Sequence, residues 1–196
     1  MKTILITGAS KGIGLAIANL FSKEYNVITT ARTGDVTING DVRDVDFRNK
    51  LVDLYTPDIF VNNAGIIGNL QDTIDTNLIA AIDLLERFYN KMPEPSHIVN
   101  ISSNIINTEL SDKPMPAYYY KASKVALDAL SKDFNTKNRN IRVTSIQPGV
   151  VNTTLIKGPR RANSIPPEYI AETIKWIVMQ PHYISIPSIE VLPRVK

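Results

Sequence analysis

With 196 residues, 43% of them hydrophobic and 21% charged, the chain is long enough for one domain with a sizeable core and has an ordinary globular balance. It has no cysteine, which excludes disulfides, thiol catalysis and cysteine-ligated metal and fits a reducing compartment. The formal charge of +3 is spread without a long basic block, so nucleic acid is not an expected partner, and no apolar run is long enough to span a bilayer. Nothing at the start reads as a signal or transit segment, and the expectation is a cytoplasmic protein.

In chain order, residues 3–7 (Thr3-Ile4-Leu5-Ile6-Thr7) read as a short apolar strand running into Gly8-Ala9-Ser10-Lys11-Gly12-Ile13-Gly14. A helix follows over 12–24, with Ile13, Ile17, Leu20 and Phe21 on one stripe. Strand, glycine-rich turn and helix together aim backbone N–H groups and a helix N-terminus at a phosphate. Glycine is needed where a side chain would block a pyrophosphate or strain the turn. The spacing Gly-x-x-x-Gly-x-Gly differs from the commoner Gly-x-Gly-x-x-Gly, so a glycine turn without a ligand stays open at this point.

A second strand, 26–31, ends at Ala31-Arg32. Only Thr33 to Gly40 separates Arg32 from Asp41, whereas a parallel crossover usually takes a dozen or more residues. This crossover should therefore be a loop and the third strand very short. Further strands are predicted at 58–62, 96–101, 141–147 and 184–191, and helices at 44–55, 73–91, 117–136 and 167–179. Ile59, Phe60 and Val61, like Ile98, Val99 and Ile101, suit strands buried on both sides. Pro187 puts the last strand at an edge, and Trp176, Ile174 and Ile177 are read as the packing face of the 167–179 helix. Helix 73–91 is apolar on more than one face, through Ile79, Ile82, Leu84, Leu85 and Phe88. The alternation argues for an α/β protein with a parallel sheet covered by helices on both faces.

Within Tyr118-Tyr119-Tyr120-Lys121-Ala122-Ser123-Lys124, only Tyr120 has a lysine four residues later. On a helix that spacing puts both side chains on one face. An ammonium beside a phenol favours the phenolate and lowers its pKa, giving an acid or base usable near neutral pH once a cofactor is nearby. His97 and His182 lack metal-ligand company, so no metal site is expected.

These segments resemble the short-chain dehydrogenase/reductase family over nearly the whole chain. Thr7-Gly8-Ala9-Ser10-Lys11-Gly12-Ile13-Gly14 is similar to its cofactor turn, and Asn62-Asn63-Ala64-Gly65 to its motif after the fourth strand. Ile98-Val99-Asn100-Ile101-Ser102-Ser103 resembles the strand that delivers the catalytic serine, and Tyr120-x-x-x-Lys124 the active-site helix. Pro148-Gly149-Val150-Val151-Asn152-Thr153 is similar to the segment under the nicotinamide. The resemblance implies one Rossmann-type, doubly wound domain over 1–196, with a substrate lid at about 154–168.

It further implies catalytic roles for Asn77, Ser103, Tyr120 and Lys124: Tyr120 as the acid or base, Lys124 lowering its pKa and hydrogen-bonding the nicotinamide ribose, Ser103 on the substrate oxygen and Asn77 in a proton relay, with Tyr120 and Lys124 counted in the cofactor site as well. Gly8, Ser10, Lys11, Gly12, Ile13 and Gly14 would hold the pyrophosphate. Asp41, Val42, Asn63, Ala64 and Gly65 would line the adenine and ribose pockets, and Pro148, Gly149, Val151 and Thr153 would meet the nicotinamide. Arg32 and Lys11, basic where an acidic residue would favour NAD, imply NADP(H) over NAD(H). Lys157, Arg160 and Arg161 fall in the lid; they could grip an anionic substrate or an acidic carrier, and a solvated loop is the plainer reading. Ile66, Ile67, Ile105, Ile106, Met115 and Leu155 could wall the substrate pocket or just close the core. In the family, helices corresponding to 73–91 and 117–136 pair across a two-fold axis, implying a homodimer or homotetramer.

The expected function is an NADP-dependent oxidoreductase moving a hydride between nicotinamide and a carbonyl or alcohol carbon of a small molecule. Two alternatives stand beside it: a nucleotide-sensing or interaction protein with little turnover, and an epimerase or dehydratase using the same Tyr–Lys pair. The sequence does not name the substrate.

Overall fold

The computed structural model describes residues 1–137, 139–155 and 163–194. Its strands are β1 (Thr3–Thr7), β2 (Asn26–Ala31), β3 (Ile38–Asn39), β4 (Ile59–Asn62), β5 (Ser96–Ile101), β6 (Ile141–Pro148) and β7 (Ser188–Val191). They form one seven-stranded sheet in the order β3-β2-β1-β4-β5-β6-β7, with every neighbouring pair parallel. The helices are α1 (Gly12–Phe21), α2 (Val45–Leu54), α3 (Leu70–Ile74), α4 (Ala80–Lys91), α5 (Met115–Asn135) and α6 (Pro167–Val178).

Two apolar layers sandwich the sheet. On one face Ile17 and Phe21 of α1 and Ile170, Ile174 and Ile177 of α6 pack on Ile4, Ile6, Val99 and Ile146. On the other, Phe47 and Leu51 of α2, Leu84, Leu85 and Phe88 of α4 and Phe134 of α5 pack on Leu5, Phe60, Ile98 and Val143. Alternate residues of each strand serve opposite layers, which is why the strands read as continuous apolar runs. Local chemistry sets the helix starts. Asp44 accepts the Asp46 N–H at 2.9 Å before α2, and Asn69 accepts the Asp72 N–H at 2.8 Å before α3. Prolines stand in the first turns of α5 and α6.

The short crossover is a loop, residues 32–37, with no helix. The length rule is escaped because β3 pairs only with the last residues of β2, Thr30 with Ile38 and Ala31 with Asn39. The chain need only step sideways; it does not travel back along the sheet. Thr29 and Thr37 seal the step: each backbone N–H donates to the other's hydroxyl, at 3.1 and 2.9 Å.

Three expectations shift. Trp176 is 54% exposed and points away from the sheet, because Ile170, Ala171, Ile174 and Ile177 already fill the inward stripe. The last strand starts at Ser188, since Pro187 has no N–H for a ladder; its carbonyl still accepts the Ser145 N–H at 2.9 Å, at the sheet edge. The 73–91 helix begins at Leu70 and is interrupted by a π-helical turn, Asp75–Ile79, where the Ala80 N–H reaches back to the Asp75 carbonyl. Lys157, Arg160 and Arg161 lie outside the described residues. Among the described residues no helix is long and apolar enough to cross a membrane, and no cluster of three or more His, Asp or Glu could hold a metal ion.

Candidate active site

The sheet order reverses between β1 and β4, and there the loops at the strand ends part to leave a cleft of about 400 Å³. Gly8, Ser10, Lys11, Gly12 and Ile13 form one wall. Arg32, Asp41 and Val42 form the second, and Asn63, Ala64 and Gly65 the third. Thr153 and Leu155 close the remaining side. At Gly8 φ is +66°, and a Cβ built there would lie 2.8 Å from the Ala64 Cα, so only glycine lets the turn approach β4. Gly14 is buried in the first turn of α1 against the Asn63 side chain. The turn thus presents the uncapped N-terminus of α1 to the cleft, since Lys11 at the cap position makes no side-chain capping bond.

Thr7 holds these walls together. Its hydroxyl accepts the N–H groups of Asn63 and Ala64, both at 3.0 Å. The Asn63 amide in turn donates to the carbonyls of Thr7 at 2.8 Å and Gly8 at 3.1 Å. Asn63 therefore lines the cleft by bracing the glycine turn. The loop 32–37 leans on the same turn: Gly34 has φ +108°, and a Cβ on it would come within 2.8 Å of the Ser10 Cβ.

Just behind Gly65 lies the second half of the site. A Cβ on Gly65 would sit 3.4 Å from Asn77 Oδ1 and 3.5 Å from Lys124 Nζ, so both side chains converge on that point. Lys124 is 3% exposed and donates to the Ile101 carbonyl at 2.7 Å; its Nζ is 5.7 Å from the Tyr120 ring centre. Asn77, in the π-helical turn, is clamped on the Ile66 backbone, accepting its N–H and donating to its carbonyl, both at 2.8 Å. Asn77 also donates to the Ser123 hydroxyl at 3.3 Å, which itself donates to the Tyr120 carbonyl at 2.7 Å. Asn77 thus reaches across to a loop and to α5 and spends no bond on its own helix.

Ser102 and Ser103 part as expected of neighbours leaving a strand. Ser102 is buried and donates to the Lys124 carbonyl at 3.2 Å, while the half-buried Ser103 caps the short 3-10 helix Asn104–Asn107 and faces Tyr120. Burial pushes the Tyr120 phenol up to about 12, with the Ser103 hydroxyl drawing it partly back. Burial also pushes Lys124 down to about 8. In the protein alone burial dominates Tyr120, and the expected lowering by Lys124 is not found.

The segment Pro148–Thr153, expected to meet the nicotinamide, is only partly at the cleft. Pro148 ends β6, the Gly149 N–H donates to the Val191 carbonyl at 2.8 Å, and Val151 bridges to Ile165 and packs into the α6-side core. Thr153 reaches the cleft. Ile66, Ile67 and Leu155 supply apolar wall, whereas Met115 is exposed on the first turn of α5. Sequence reasoning did not assign Thr7, Ser123 or Arg43 a role. Thr7 and Ser123 stand inside motifs that were read, yet their contacts cross between strands and helices that no spacing reveals.

The sequence model of the short chain dehydrogenase family matches residues 2–164. Serine 3-dehydrogenase of Agrobacterium fabrum is 30% identical over an alignment that spans 97% of this chain and 93% of that protein. The closed form of a serine dehydrogenase complexed with NADP+ superposes with a TM-score of 0.83 at 23% identity, covering 96% of this chain and 94% of its own. A 4-hydroxyisoleucine dehydrogenase complexed with NADH and succinate does so with a TM-score of 0.80 at 27% identity, covering 97% of each chain. With a family model over residues 2–164, a relative 30% identical over nearly its whole length and a cleft at the switch point of the sheet, this chain belongs to the short-chain dehydrogenase/reductase family and is an oxidoreductase acting on CH–OH/C=O groups.

Proposed function

We propose that the chain is an NADP(H)-preferring reductase of small-molecule carbonyls, reversible as an alcohol dehydrogenase, with Tyr120 as its proton donor and acceptor. The observation that carries this is the convergence of Lys124 and Asn77 on Gly65 of the cleft wall, with the Tyr120 ring beside Lys124. The residues fit a dinucleotide: the Gly8 turn, which only glycine lets press against Ala64, lines the cleft and opens onto an uncapped helix N-terminus. When bound, the nicotinamide supplies or accepts the hydride, which no side chain here can do.

The chain's own residues manage the proton and the geometry. In reduction Tyr120 gives its hydroxyl proton to the carbonyl oxygen, and in oxidation it takes the proton back. Ser103, beside it, donates a hydrogen bond to the same oxygen as negative charge develops there. The Lys124 ammonium, fixed by the Ile101 carbonyl, stabilises the phenolate left behind. Asn77 locks Ile66 and α5 around that ammonium and stands on the path of a proton relay. Asp41, Val42, Asn63 and Ala64 would line the base and ribose, and Thr153 the nicotinamide side.

Relatives of this fold have been solved with NADP+ and with NADH, so the choice falls to local charge. Among the described residues, the cleft wall carries two cations, Lys11 and Arg32, and one carboxylate, Asp41, which Arg43 already pairs at 2.7 Å. An acidic residue that would accept from a ribose 2′-hydroxyl is replaced by Arg32, whose fork suits a 2′-phosphate. Calorimetry of Arg32→Ala should show NADPH binding weakened about tenfold or more, with NADH little changed. Equal losses for both cofactors would remove Arg32 from the 2′-phosphate. Tyr120→Phe should lower carbonyl reduction by about 10²–10⁴-fold while NADPH still binds; near-normal turnover would end its assignment as the acid.

A further inference from the structure

The cleft wall Gly40–Val42 follows the two residues of β3, just past the loop that stands where a crossover helix is missing, and two arginines hold it. Arg48, almost fully buried, donates Nη1 to the carbonyls of Val42 at 2.7 Å and Arg43 at 2.9 Å, and Nε to Asp83 of α4 at 2.5 Å. Arg43 wraps the carboxylate of Asp41. Its Nε donates to both oxygens, at 3.2 and 3.1 Å, its Nη2 to Oδ2 at 2.7 Å and its backbone N–H to Oδ1 at 2.9 Å. The remaining arm, Nη1, donates to Asp72 in the first turn of α3. Asp72 is itself held by the Asn69 amide at 2.8 Å, and α3 runs on into the π-helical turn that carries Asn77.

We propose that Arg43 is a positioning residue of the cofactor site: it aims the Asp41 carboxylate into the cleft as a fixed acceptor for the N–H donors of the nucleotide base, and anchors it to α3. The proposal rests on the NADP(H) reading above. Stability does not explain the arrangement. The side chains of Arg43, Asp41 and Asp72 are 34%, 28% and 44% exposed, and ion pairs that wet contribute roughly 0–1 kcal/mol. Three N–H groups making four hydrogen bonds to one partly exposed carboxylate instead remove its freedom to rotate and offset its charge, in a cleft built to receive phosphates. Arg32, at the end of β2, acts on Asp41 in the same direction, while Asp72 and Asp75 face Arg43 from α3 and the π-helical turn.

The test is a double-mutant cycle read by calorimetric binding of adenosine 2′,5′-bisphosphate, which has no nicotinamide, alongside NADPH kinetics. Arg43→Gln should raise the Kd of the bisphosphate about tenfold and raise KM for NADPH more than it lowers kcat. In an Asp41→Asn background the same change should cost less than about twofold, because Arg43 acts through Asp41. Arg43→Lys, which keeps the cation but not the fork, should fall between Arg43→Gln and the parent and serves as the readout if Arg43→Gln does not fold. Parental affinity in both Arg43 variants, or an undiminished loss in the Asp41→Asn background, overturns the proposal. Failure of the parent chain to bind either the bisphosphate or NADPH would overturn the cofactor reading itself.

Discussion

At the scale of single residues, burial acts on Tyr120 and Lys124 in opposite senses. It holds the phenol protonated, at about 12, and makes the ammonium easier to deprotonate, at about 8. Lys124 is charged below pH about 8 and loses its charge above it. On the proposed mechanism carbonyl reduction needs that charge to stabilise the phenolate, so kcat/KM should fall as pH rises through about 8. A pH–rate profile with NADPH saturating checks this; a profile level to pH 10 would mean Lys124 keeps its proton or is not needed. The Tyr-x-x-x-Lys spacing was legible in the sequence because it is local to one helix. The sign of the net shift on Tyr120 was not, because desolvation comes from elements that only the fold brings around it.

At the scale of elements, the short crossover changes how the cleft is built. With no helix between β2 and β3, the loop 32–37 is held by the Thr29–Thr37 pair and by the approach of Gly34 to Ser10. Gly34→Val meets two penalties at once, a left-handed φ of +108° and a Cβ 2.8 Å from the Ser10 side chain. It should destabilise the protein by about 1–3 kcal/mol and weaken NADPH binding through the displaced glycine turn, as measured by urea unfolding and calorimetry. A variant that unfolds and binds like the parent would show that the loop does not bear on the turn. The loss of the crossover helix could be read from residue count alone. The π-helical turn at Asp75–Ile79 could not, since the partners of its Asn77 side chain, Ile66 and Ser123, lie outside its own helix.

At the scale of the whole molecule, one contribution to acid stability comes from a buried histidine, beside those of the ion-paired carboxylates. His97, at the start of β5, is buried, and its Nε2 donates to the Thr144 hydroxyl at 2.8 Å, since that hydroxyl gives its own proton to the Ile186 carbonyl at 2.7 Å. Burial chiefly, with Arg142 and His182 adding repulsion, pushes His97 down from 6.5 to about 3. The unfolded chain therefore binds a proton that the folded one refuses between those values. Stability is full above pH 6.5 and is lost as pH falls toward 3, by up to about 1.4 kcal/mol per pH unit for this one proton. His97→Leu should flatten the decline between pH 7 and pH 5 in urea unfolding. An unchanged decline would move the acid sensitivity elsewhere.

The sequence by itself determined the parallel α/β sheet, the glycine turn, the Tyr120–Lys124 pair and the shortened crossover. Each of these is written in contiguous residues, where period, turn chemistry and chain length act locally. Only the tertiary structure decided what depends on residues far apart in the chain. Lys124 meets Asn77 across Gly65, Thr7 latches Asn63 and Ala64 to β1, and Arg43 spans from Asp41 to Asp72. The same holds for Trp176, whose apolar character suggested the core: its angular place on α6 turns it outward once Ile174 and Ile177 have taken the sheet. Hydrophobic patterning can say that a face will be buried, but which polar groups meet beneath it is set by the packing of separate elements against one another.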